Sequence, residues 1–99
     1  MAQLVWTRQS RQDIESIRAY IAIDAPRRAE DFIRKLTAAT KRLRKAAYLG
    51  QVVPELGRES VREILFGNYR IIYRVSDQLI EVVSVYHSAR LLDDRILDR

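Results

Sequence analysis

The sequence predicts an α+β fold. An N-terminal strand and an antiparallel two-helix hairpin pack on one face of a three- or four-stranded antiparallel sheet, followed by a short C-terminal helix or tail. Three observations carry this expectation. Apolar residues recur every three or four positions through the first half of the chain. After Ser60 the period falls to two, in segments rich in β-branched and aromatic residues. Two-residue turn signals then separate those later segments.

Leu4-Val5-Trp6 is a short apolar run and reads as the first or edge strand. A helix is expected from about Ser10 to Ile23, because Ile14, Ile17 and Ile21 share one stripe that Tyr20 widens. Ser10 with Asp13 serves as its start signal. Asp24-Ala25-Pro26 interrupts the pattern, with Asp24 placed to cap a second helix and Pro26 in its first turn, where a missing N–H costs nothing. That helix is expected to run to about Ala47, burying Ala29, Phe32, Ile33, Leu36, Leu43 and Ala47. Tyr48 to Glu59 contains Gly50, Pro54 and Gly57 and reads as a loop.

Strands follow over Val61–Phe66, Tyr69–Val75 and Leu79–His87. Gly67-Asn68 is a hairpin signal, and Asp77-Gln78 is a weaker one. The tail from Ser88 suggests a short helix with Leu91, Leu92 and Ile96 turned inward.

The 99 residues are read as a single domain, residues 1–99, long enough to bury about two-thirds of the unfolded surface. There is no cysteine, which excludes disulfides and thiolate metal sites and fits a reducing compartment. One histidine makes a structural metal site improbable on composition, and no metal or cofactor is expected. No apolar run reaches the roughly 20 residues of a membrane span, and the N-terminus lacks a signal-peptide pattern, so a cytoplasmic protein is expected.

The net charge of +5 is concentrated. Between Arg27 and Lys45 stand Arg27, Arg28, Arg34, Lys35, Lys41, Arg42, Arg44 and Lys45, against only Glu30 and Asp31. A basic stripe of this kind points to nucleic acid or an acidic protein, although a merely solvated helix face has the same composition.

The two turns set an expected register. Phe66 faces Tyr69, Leu65 faces Arg70, Glu63 faces Ile72, Arg74 faces Glu81, Ile72 faces Val83 and Arg70 faces Val85. Side chains alternate across a strand. One face therefore collects Ile64, Phe66, Tyr69, Ile71, Tyr73, Ile80, Val82 and Tyr86, for the helices to cover. The other collects Glu63, Arg70, Ile72, Arg74, Glu81, Val83, Val85 and His87, and should stay open to water or a partner. On it Arg70 and His87 lie diagonally adjacent. That pair suits phosphate binding and proton transfer, while Glu63, Arg70, Arg74 and Glu81 equally suit a structural charge row.

Several segments in this order resemble one family: Trp6, the Ile14/Ile17/Tyr20/Ile21 helix, the Pro26-started helix with Phe32, Val53-Pro54-Glu55-Leu56-Gly57, Arg62-Glu63-Ile64, Gly67 through Val75, and Val85-Tyr86-His87-Ser88-Ala89-Arg90. Together they resemble the RelE/ParE toxins of type II toxin–antitoxin systems. The resemblance implies a toxin held inactive by a labile antitoxin with a small acidic toxin-binding segment, and operator DNA bound only through that complex. It also implies the plasmid-stabilisation setting of such systems.

RelE-like relatives enter the ribosome and cut mRNA, whereas ParE-like relatives block DNA gyrase without catalysis. Under the first alternative the resemblance places Arg70 at the scissile phosphate, His87 as acid or base and Arg62 as a further phosphate contact. Two departures favour the ParE-like reading. His87 is followed by Ser88-Ala89 rather than a tyrosine, with Tyr86 expected on the helix side. Gln51 to Glu59 offers only Arg58 where some relatives carry a lysine cluster, although Glu55 could stand in as a base. The expected partner-binding residues are Arg34, Lys35, Lys41, Arg42, Arg74 and Arg90.

Overall fold

The computed structural model describes residues 1–89 and 94–98 of the chain. Strand β1 (Gln3–Trp6) leads into helices α1 (Arg8–Ala22) and α2 (Pro26–Lys41). A single 3-10 turn, Arg42–Arg44, extends α2. Strands β2 (Gln51–Val52), β3 (Val61–Phe66), β4 (Tyr69–Ser76) and β5 (Leu79–His87) follow, and a second 3-10 turn covers Asp94–Asp98. The α+β class and the hairpin-on-sheet plan are as expected.

Among the described residues the sheet has five strands rather than three or four, in the order β1-β5-β4-β3-β2. β1 runs parallel to β5, and the other pairs are antiparallel. The strand missed from the sequence is β2, two residues long and too short to display a period.

Local chemistry explains the helix boundaries. α1 starts before Ser10 because the Thr7 hydroxyl is its N-cap, accepting from the Ser10 N–H at 3.2 Å. Pro26 opens α2 as expected, but the N-cap is Ala25, with no side-chain bond, so Asp24 lies one residue too early to cap. The α-helix ends at Lys41 instead of continuing to Ala47. Its last turn tightens to 3-10, and the Arg44 carbonyl accepts the Ala2 N–H at 3.0 Å, tying the end of the hairpin to β1.

The helices cover one sheet face. Ile14, Ile17, Ile33, Leu36 and Leu43 pack against Ile64, Ile71, Tyr73, Val75, Ile80, Val82 and Val85. Phe32 meets Phe66 and Tyr69 edge-to-face, with centroids 5.3 and 5.8 Å apart. Both hairpin turns place their first central residue at positive φ, Gly67 at 56° and Asp77 at 40°. Glycine adopts this freely, and aspartate is among the few other residues that tolerate it.

The expected register holds through β3–β4 and at Arg74↔Glu81. It then breaks: Tyr73 pairs with Val82, but Ile72 pairs with Ser84. The extra residue, Val83, is a β-bulge. Consequently Arg70 faces Tyr86 rather than Val85, and Tyr69 faces His87. Val85 joins the helix-covered core, and Tyr86 moves to the opposite face.

That opposite face is not open either. Val53, Val61, Ile72, Val83 and Ile96 form a second buried cluster with Leu56, Tyr86 and Leu97 packed on it. Ile96 turns inward as expected, whereas Leu91 and Leu92 lie outside the described residues.

The fully buried Tyr73 fixes the return of the loop before β3. Its hydroxyl accepts the Gly50 N–H at 2.9 Å. A Cβ at Gly50 would stand 2.4 Å from the Glu63 carbonyl oxygen and 2.7 Å from that hydroxyl. Burial pushes the phenol pKa upward, keeping it neutral. Gly50→Ala is therefore expected to lower stability by about 2–3 kcal/mol, and Tyr73→Phe by about 1–2 kcal/mol. The urea midpoints of the two variants, measured beside wild type, check both values.

Candidate functional site

β4 is the central strand, and Arg70 stands near its start on the face away from the helices. The neighbouring position on β3, Leu65, and its alternate Glu63 share that face, so the Glu63 carboxylate lies within reach of the guanidinium. Arg70 donates from Nε to Glu63 Oε1 at 2.8 Å and from Nη2 to the same oxygen at 2.5 Å. Glu55, in the loop between β2 and β3, closes the other side as a fork, Nη1 to Oε2 at 2.6 Å and Nη2 to Oε1 at 2.7 Å. Gln51 of β2 donates to Glu63 Oε2 at 2.9 Å.

The Arg70 and Glu63 side chains are only 7% and 5% exposed, and that of Glu55 is 17%. Burying charges on this face was expected to be prohibitive. It is made tolerable here by bidentate, charge-assisted pairing. The hydrogen bonds donated to Glu55 raise the Arg70 pKa most, burial opposes them, and Glu63 adds to the rise. The group is thus a fixed cation held between two carboxylates. A phosphate approaching it would have to displace a carboxylate.

His87 is not beside it. The bulge turns His87 to the helix side, where it is exposed and its ring lies edge-on to Tyr69 at 5.7 Å. Its Nδ1 accepts the Ala89 N–H at 3.2 Å. The expected Arg70–His87 constellation is therefore dissolved by one inserted residue, and Tyr86 occupies the position opposite Arg70.

Arg62 does not join Arg70 either. It pairs across from Tyr73, on the helix-side face. There it donates to the Glu59 carboxylate at 2.7 Å, the Glu59 carbonyl at 3.0 Å and the Gly50 carbonyl at 3.1 Å. Its guanidinium also stacks 4.9 Å from the Tyr48 ring centre. Arg74 forms the cross-strand pair with Glu81 at 3.2 Å.

The remaining cations are displayed on the helical hairpin. Arg34, Lys35, Lys41 and Arg42 are all exposed. Asp31 accepts from Arg34 and, at 3.0 Å, pairs with Lys35. The hydrogen bond from Lys35, with Arg34 adding to it, holds the Asp31 carboxyl below its usual range. Arg90 lies outside the described residues.

One residue of consequence, Asp13, was read only as a start signal. Its Oδ2 accepts the Ser84 hydroxyl at 2.6 Å and the Val85 N–H at 2.9 Å, pinning the bulged edge of β5 beyond the end of β1.

These features define a class first: a basic α+β protein whose helical hairpin backs a bulged sheet and whose exposed cations sit outside rather than in a shared cleft. Comparison with known proteins narrows it. The model of the ParE toxin of the type II toxin–antitoxin system, parDE, matches residues 4–92. Toxin RelE2 of Caulobacter vibrioides is 34% identical over 91 residues, covering 92% of this chain and all of that one. The solved chromosomal ParDE system from P. aeruginosa superimposes with a TM-score of 0.76 at 21% identity, over 88% of this chain and 96% of that one, which supports the fold. The chain belongs to the ParE toxin family of type II toxin–antitoxin systems. Membership implies a cognate antitoxin. Among the described residues, no helix is long and apolar enough to cross a membrane.

Arg70→Ala should cost about 3–5 kcal/mol by leaving two carboxylates without their buried cation. Adding Glu55→Gln and Glu63→Gln to it should recover part of that loss. Urea unfolding of the single and triple variants reads both outcomes, and an unchanged midpoint for the single variant would deny the cluster its structural importance.

Proposed function

We propose that this toxin is a ParE-like inhibitor of DNA gyrase, acting in the cytoplasm as one unit over residues 1–99, by binding rather than by catalysis, until its antitoxin neutralises it. The observation that carries this reading is the commitment of Arg70 to Glu55 and Glu63, with His87 on the opposite face. RNA cleavage through a 2′-hydroxyl needs a base, a cation at the phosphorane and an acid at the 5′-oxygen, all converging on one phosphate. Here the cation is already neutralised, and Arg62 faces away from it.

The working surface in this reading is the basic outer side of the hairpin, Arg34, Lys35, Lys41 and Arg42, with Arg74 and Arg90 as further contacts. The ribosome-dependent endoribonuclease reading draws on one observation, the position of Tyr86 across from Arg70. A phenol could move a proton there, but only if Glu55 first released the guanidinium.

Purified gyrase titrated with the toxin is expected to lose supercoiling activity, and adding antitoxin should restore it. Arg62→Ala and His87→Ala should inhibit as well as wild type. Full supercoiling at large toxin excess, together with mRNA cut at defined codon positions during expression, would replace this reading with the endoribonuclease one.

A further inference from the structure

The cations of α2, with Arg42 at the start of the turn that extends it, are ordered as well as numerous. Arg27, Arg34 and Lys41 repeat every seven residues, and Arg28, Lys35 and Arg42 form a second row one position on. All six are exposed. At about 100° per residue, the two rows lie roughly 100° apart around the helix. Their bisector points about 180° away from the centre of the buried set Ala29, Ile33, Leu36 and Thr40. Within a row, successive charges are spaced about 10.5 Å along the axis, so each row extends about 21 Å. Arg44 and Lys45, both exposed, continue the positive charge beyond the helix end.

Few acids interrupt these rows. Glu30 is drawn aside to Arg18 of α1 at 3.2 Å. Asp31 lies between the rows and pairs with Arg34 and Lys35. The other residue between the rows is Ala38, so no large apolar side chain stands among the six cations. The strip supplies arginine but none of the apolar and aromatic anchors from which protein interfaces draw much of their energy, so contact with a protein target here is mainly electrostatic and compatible with a polyanion alongside it. Single-stranded nucleic acid fits poorly, because it is gripped by aromatic stacking platforms, which this strip lacks. Parallel lines of phosphate suit it well, since they need only regularly placed cations.

We propose that the outer face of α2 is a docking surface for the sugar-phosphate backbone of duplex DNA, contacted by the toxin itself through the paired rows Arg27/Arg34/Lys41 and Arg28/Lys35/Arg42. The choice of DNA over RNA rests on the gyrase reading, because gyrase holds duplex DNA at its working site. The face reads no base sequence. It adds an electrostatic contact with DNA to whatever the toxin makes with its protein target.

The test is fluorescence anisotropy of the whole protein, without gyrase or antitoxin, against a labelled random-sequence DNA duplex of roughly 20 bp across a salt series. Six cations less the one offset by Asp31 predict a slope of log K against log salt of about −4 to −5, or about 500-fold weaker binding at 200 mM than at 50 mM. Lys41→Gln with Arg42→Gln should make the slope shallower by about two. Asp31→Asn should tighten binding and steepen the slope by about one, a gain that misfolding does not mimic. Arg8→Gln, exposed at the start of α1 and outside both rows, should change neither.

Absent or salt-insensitive binding, unaltered slopes in the α2 variants, failure of Asp31→Asn to tighten, or a preference for duplex RNA would each overturn the proposal. Since no gyrase is present, such a failure leaves the supercoiling assay to decide the gyrase reading separately.

Discussion

Asp13 reaches from α1 to the outer edge of β5 and accepts two hydrogen bonds with one oxygen, from the Ser84 hydroxyl and the Val85 N–H. Just before it along the same edge, Thr7 donates its hydroxyl to the Val83 carbonyl at 3.1 Å and its N–H to the Val82 carbonyl at 3.0 Å. β1 stops pairing at Val82, so these contacts satisfy strand edge that would otherwise be unpaired. They also hold the bulge at Val83. Everything toward the end of β5 follows from that single inserted residue: Val85 enters the helix-side core, Tyr86 crosses to the Arg70 side, and His87 stands against Tyr69.

The second consequence of this arrangement is that the sheet is covered on both faces. The helices supply one cover. The loop through Val53 and Leu56, with Ile96 and Leu97 from the C-terminal turn, supplies part of the other. Arg70 is caught under the second cover, hydrogen-bonded to both Glu55 and Glu63. Removing one partner of such a group is costly even though the intact group contributes little net stability. Loss of toxicity on mutating Arg70 would therefore report on folding before it reported on chemistry.

Much of this architecture was legible in the chain. The limits of β3 and β5, the Gly67-Asn68 turn and the pairings from Phe66↔Tyr69 to Glu63↔Ile72 all follow from local pattern and turn chemistry. Pro26 marked the start of α2 in the same way. The bulge was not legible, because the carboxylate that stabilises it lies 71 residues away from Ser84 in sequence. The site inherited that error: Arg70 was placed on the correct face, but its neighbour was taken to be His87 rather than Tyr86. Glu55 was visible as an acid in a loop, yet only the folded path of that loop reveals its fork onto Arg70. The exposed cations of α2 were readable throughout, since periodicity alone separates them from Ile33 and Leu36.

Helix α2 thus answers to two independent demands on opposite sides of one rod. Its inner residues are locked by close packing, where a change of even one methylene is felt. Its outer residues touch solvent, and substitutions there alter stability by little. The outer side can accordingly be rewritten residue by residue while the scaffold beneath it keeps its shape.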